Sequence, residues 1–102
     1  MSYSLASLME RLATEGGETA HLHPGDAPVL KISGVLHRVE GPPLEAADTE
    51  ALLPSVASDE VLREFSTSQV VRFDYPFDEV AIFQVTAFRQ DGNVHLEIRK
   101  SK

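Results

Sequence analysis

Cysteine and tryptophan are both absent from this 102-residue chain, and lysine occurs only as Lys31, Lys100 and Lys102. Without cysteine there is no disulfide framework and no thiolate metal site, a pattern that suits a reducing compartment. None of the three lysines follows a glycine, so no G-x-x-x-x-G-K-S/T loop is present to cradle phosphates, and a P-loop motor is excluded. A G-x-S-x-G nucleophile elbow is missing as well, which leaves the many serines without catalytic context. No apolar run approaches the roughly 20 residues that span a bilayer. The start, Met1-Ser2-Tyr3-Ser4, lacks the basic and apolar regions of a secretory signal, so an unexported, cytoplasmic protein is expected. Positive charge is also scarce: the net charge is −7, and its acids are scattered as on an ordinary solvated surface. Nucleic acid and anionic membrane, which draw affinity from clustered Lys and Arg, are therefore not expected partners.

What the chain does have is 42% hydrophobic residues, enough for one modest core, and a single domain over residues 1–102 is expected. Leu5, Leu8, Met9 and Leu12 recur at helical spacing, and Gly16-Gly17 supplies a stop, which predicts a helix from about Ser4 to Thr14. Short apolar runs follow at His21-Leu22, Val29 to Ile32 and Val35 to Val39. Ser33-Gly34 forms a two-residue connection that favours a hairpin, because glycine accepts the positive φ such turns need. After Gly41-Pro42-Pro43 a short helix is expected over Ala46 to Leu53, ended by Pro54. A third helix is predicted from about Asp59 to Ser66, capped by Ser58 with acids in its first turn. Gln69 to Tyr75 and Val80 to Phe88 read as strands, the first with one wet face and the second apolar on both and hence central. Asp91-Gly92 is the strongest hairpin signal, and Val94, Leu96 and Ile98 alternate with His95, Glu97 and Arg99 on the returning strand. The order predicts an α+β architecture, one antiparallel sheet with helices against one face.

Several motifs in order resemble the small N-terminal domain of PilT-type twitching-motility and type II secretion ATPases. Gly16-Gly17-Glu18-Thr19-Ala20-His21-Leu22-His23-Pro24-Gly25 falls where that family has Gly-Ala-Ser-Asp-Leu-His-Leu-x-x-Gly. Ala27 to Gly34, the helical Asp48 to Leu53, and Phe83 to Gly92, which is similar to a Phe-Arg-Val-Asn-x-Phe-Arg-Gln stretch, complete the likeness over nearly the whole chain. The resemblance implies a PAS-like fold, a curved antiparallel sheet flanked by short helices. It also implies packing on a motor ATPase domain in a ring, with arginines near the nucleotide edge. Two departures stand out: Glu18-Thr19 replaces Ser-Asp, and Gln84 stands where the family has arginine, leaving only Arg89 at such a motif position; the amide at Gln84 weakens any role in stabilising phosphate charge, because it lacks a guanidinium fork.

The expected function is a non-catalytic protein-interaction module, partnered by a pilus or secretion motor ATPase or by its own kind as a homo-oligomer, with no cofactor. Partner contacts are expected at His21, Arg89 and Gln90, and Arg89→Ala is expected to weaken docking while leaving thermal stability nearly unchanged. A PAS-like small-ligand sensor is the alternative, and it needs a polar-lined chamber of roughly 300 Å3 between sheet and helices. His21 and His23 share one strand face, where His37 or His95 could add a third nitrogen, but solvated histidines are the preferred account and no metal is expected. Asp74 and Asp78 are read as turn formers rather than an acid–base pair.

Overall fold

The computed structural model describes residues 3–77, 79 and 81–101. Helix α1 spans Leu5–Thr14 and opens on Ser4, whose Oγ accepts from the Ser7 N–H at 3.1 Å, satisfying one of the free amides of the first turn. Its buried side chains are Leu5, Leu8, Met9 and Leu12, the stripe read from the sequence. Gly16 turns the chain with φ 72°, and strand β1, Gly17–Leu22, begins at once. The second glycine is therefore more than a stop. A Cβ on Gly17 would lie 2.4 Å from Leu12 Cδ2 and 2.6 Å from Leu12 Cα, so only glycine lets β1 cross this closely over α1.

Strands β2, Val29–Ile32, and β3, Val35–Arg38, form the expected hairpin. Ser33 and Gly34 take φ of 52° and 80°, both positive, as the I′ turn of a two-residue loop requires. Residues leading to helix α2, Ala46–Leu52, are pinned by backbone bonds, with the Gly25 N–H donating to Leu44 O at 2.8 Å and the Leu44 N–H donating to Asp26 O at 2.9 Å. Pro54 sits in a 3-10 turn, Leu53–Ser55, that carries α2 onward by one turn. Helix α3, Asp59–Ser68, is capped by Ser58 and runs two residues beyond the expected end, closing on Gln69 in the left-handed region.

Strand β4, Val70–Phe77, also exceeds its expected length, passing through Pro76. An edge position tolerates this, because proline only has to lack a donor on the unpaired side. Strands β5, Ala81–Gln90, and β6, Asn93–Lys100, form the long hairpin across Asp91-Gly92, again with two positive φ values. The expected strand start at Val80 lies outside the described residues.

All pairings are antiparallel, and the six strands lie in the order β3-β2-β1-β6-β5-β4. Inward residues Ala20, Leu22, Leu30, Val71, Phe83, Val85, Ala87, Val94, Leu96 and Ile98 form one cluster with the α1 stripe, Leu44, Leu52, Leu53 and Phe65. The helices therefore cover one face of the sheet, and the other faces water. This is the expected α+β arrangement, with β5 an interior strand. Among the described residues no helix is long and apolar enough to cross a membrane.

Candidate functional site

The uncovered sheet face carries the polar chemistry, and register decides what meets there. β1 lies beside β6, so His21 stands opposite Glu97, Glu97 opposite Thr86, and Thr86 opposite Arg72, a row across four strands. One row on, Phe88 stands opposite His95, with rings stacked at 5.2 Å and 8°. His23, just past the end of β1, points to the same side: its Nδ1 is 2.7 Å from His95 Nδ1. Its Nε2 is 3.5 Å from Glu97 Oε2. His21 Nδ1 is 3.6 Å from that same oxygen, while His21 Nε2 meets Thr19 Oγ1 at 3.1 Å. Ligating atoms of His21, His23 and Glu97 all lie within 4.8 Å of one another.

The pKa of His23 is lowered from its ordinary value, first by burial and then by the neighbouring His95, with Glu97 pulling the other way. Burial, with two further imidazoles beside it, thus favours neutral His23, the form whose unprotonated ring nitrogen can accept a proton or bind a cation. Beside this cluster a shallow hollow of about 310 Å3 is lined by Thr19, His21, Arg72, Gln84, Thr86 and Glu97 among others. It lies on the face away from the helices. The sensor alternative, which needs its polar chamber between sheet and helices, gains no support from it. A cleft of about 280 Å3 beside α1 is bordered instead by Leu5, Met9, Leu52 and Tyr75 among others, and its lining is mainly apolar.

The three residues expected to contact a partner are not brought together. His21 sits on the open face, whereas Arg89 points to the helix-covered side. There its Nη1 donates to Glu50 Oε2 and to Gly92 O, both at 3.1 Å, and its guanidinium lies 5.3 Å from the Phe65 ring centroid. Arg89 thereby ties α2, α3 and the β5–β6 turn to one another. Gln90 is exposed at the end of β5, opposite Asn93. Asp74 lies mid-strand on the open face opposite Gln84 rather than in a turn, and Asp78 lies outside the described residues. Sequence reasoning missed Glu97 and Thr19 as neighbours of the histidines. The i, i+2 spacing of His95 and Glu97 was a usable signal for a shared face, but not for adjacency to β1.

An antiparallel six-stranded sheet backed on one side by three short helices defines the class, the fold of the N-terminal region of PilT-type ATPases. The chain is similar to the type IV pilus retraction ATPase PilT of Pseudomonas aeruginosa, with 29% identity over 87 residues, 85% of this chain and 25% of that protein. The crystal structure of the pilus retraction motor PilT with bound ADP superposes with a TM-score of 0.83 at 24% identity, covering 96% of this chain and 29% of the motor. The Legionella pneumophila ATPase DotB gives a TM-score of 0.73 at 14% identity over 98% of this chain and 30% of its own. These structural likenesses speak for the fold. The chain spans between a quarter and a third of the length of the proteins it matches. No family model matches it.

Proposed function

We propose that the chain is a non-catalytic protein-interaction module of a type IV pilus or related secretion system, docking on a motor ATPase of the PilT kind. The observation that carries this reading is the sequence likeness to a pilus retraction ATPase across 85% of the chain, in a sequence with no phosphate-binding loop. The compartment that goes with it is the cytoplasm, which the lack of cysteine suits.

A docking edge is available in β3. This edge strand is exposed along its whole length, with Val35 56% and Leu36 66% accessible. Unpaired backbone donors and acceptors beside bare apolar side chains are the features that accept another strand or an apolar pocket. The Glu18 carboxylate accepts from the Gly34 N–H at 2.8 Å and steadies the turn that presents this edge.

The test is a binding titration of the 102-residue chain against a PilT-type ATPase from the same organism. Saturable binding is expected, and Leu36→Asp should weaken it about tenfold, ~1.4 kcal/mol. Absence of binding by the unaltered chain would remove the reading, and ATP hydrolysis by the purified chain would remove its non-catalytic part.

A further inference from the structure

We infer that His21, His23 and Glu97 form a divalent transition-metal site of the zinc type on the open face of the sheet, with the fourth position left to solvent or an outside ligand. His21 Nδ1 and His23 Nε2 approach Glu97 Oε2 to 3.6 and 3.5 Å. These contacts are long for hydrogen bonds to a carboxylate, which run about 2.7–2.9 Å when charge-assisted. They do match the edge of a tetrahedron around zinc: ligands about 2.0–2.2 Å from the ion stand roughly 3.3–3.6 Å from one another. All three ligand atoms already lie within 4.8 Å, so only side-chain adjustment separates this arrangement from coordination.

The second nitrogens strengthen the case. A metal-binding imidazole ordinarily donates its other N–H to a fixed partner, which sets the tautomer and the ring plane. Here His21 Nε2 has Thr19 Oγ1 at 3.1 Å, and His23 Nδ1 has His95 Nδ1 at 2.7 Å. With these two nitrogens donating, Nδ1 of His21 and Nε2 of His23 both present lone pairs towards the same side, where the Glu97 oxygen sits. His95 is itself held by stacking on Phe88. His21 and Glu97 face each other on directly paired strands, so their positions are set by sheet register, and His23 follows one residue past the end of β1.

Chemistry of the donor set selects the ion. Two imidazoles and one carboxylate, with no thiolate in the chain, suit zinc or its neighbours among first-row metals and not calcium or magnesium, which take oxygen ligands. Three protein ligands leave a position open. All three side chains are at least a third exposed, giving the ion an entry path. His21 and Glu97 both border the 310 Å3 hollow that also holds Arg72 and Arg99, so an anion entering there would meet guanidinium charge beside the metal.

The experiment is a calorimetric titration of the full chain with zinc at neutral pH, repeated with cobalt(II), whose absorption reports a tetrahedral site. One ion per chain is expected, with His21→Ala, His23→Ala and Glu97→Gln each abolishing saturable binding. Thr19→Val should cost about 10- to 100-fold in affinity, the usual effect of losing an outer partner. His37→Ala, on the distant strand β3, should bind as the unaltered chain does. Thermal melts of every variant check folding, which substitutions at part-exposed positions should not disturb. The inference is overturned if a large excess of zinc gives no saturable heat, if Glu97→Gln and His23→Ala bind normally, or if His37→Ala removes the binding.

Discussion

The two faces of the sheet are built from the same strands in the same register, yet one is packed and the other is wet. Along β5, Phe83, Val85 and Ala87 are fully buried under the helices, while Gln84, Thr86 and Phe88 between them face outward. Along β6 the same alternation puts Val94, Leu96 and Ile98 inside and His95, Glu97 and Arg99 outside. Packing therefore belongs to one face and the polar, titratable side chains to the other, because only the uncovered face can hold titratable groups without the cost of burying charge. PilT and DotB share this fold; the His–Glu cluster lies on the side that packing leaves unconstrained.

Hollowing the covered face should do the most damage. Phe83 is fully buried, and its ring lies edge-on to Phe77 at 5.9 Å. Phe83→Ala removes a large buried side chain that surrounding strands cannot fill, and it should cost about 3–5 kcal/mol. Urea unfolding followed by circular dichroism would measure this. A loss comparable to an ordinary surface change, within about 0.5 kcal/mol, would mean that the β5 interior is not packed as described.

A middle-sized effect is expected where the covered face ends. Arg89→Ala removes a part-exposed ion pair with Glu50, a bond to Gly92 O and a stacking contact over Phe65. Each is worth little alone at a partly solvated site, and together they should amount to about 1 kcal/mol, weakening with added salt. A melting temperature unchanged at low salt would return Arg89 to the status of a free surface charge available to a partner.

Local pieces of this molecule were legible because their signals are local. Ser4 with the Leu5, Leu8, Met9 and Leu12 stripe specifies α1, and Ser33-Gly34 and Asp91-Gly92 specify their hairpins through positive φ. The start of β1 was not legible, because Glu18 and Thr19 look outward and Gly16-Gly17 reads equally well as a helix stop. The end of α3 was hidden for a related reason: Gln69, not glycine, takes the left-handed conformation there. Passage of β4 through Pro76 depends on its being an edge, which is a property of the sheet and not of the segment. The candidate site was half legible. Period-two spacing puts His21 with His23, and His95 with Glu97, on shared faces. Joining the two pairs requires β1 to lie against β6, a contact between opposite ends of the chain that no local pattern encodes.

The smallest expected effect probes the wet face through pH. Burial is the main cause lowering the pKa of His23, the neighbouring His95 and His21 add to it, and Glu97 and Asp26 oppose it. The unfolded chain, where His23 titrates near its ordinary 6.5, therefore takes up the proton at a higher pH than the folded chain does. Where only the unfolded state is protonated, proton binding lowers its free energy relative to the native state. The contribution of neutral His23 is thus fully present above about pH 6.5 and declines as the pH falls below it. The opposing carboxylates of Glu97 and Asp26 reduce the effect. Urea midpoints taken between about pH 7.5 and about pH 5, across the range where histidine titrates, should fall, and His23→Gln should flatten the decline. A chelator keeps metal from entering the balance. An identical slope in His23→Gln would assign the pH dependence to other groups and leave the open face energetically silent, making the contrast between the two faces sharper than drawn.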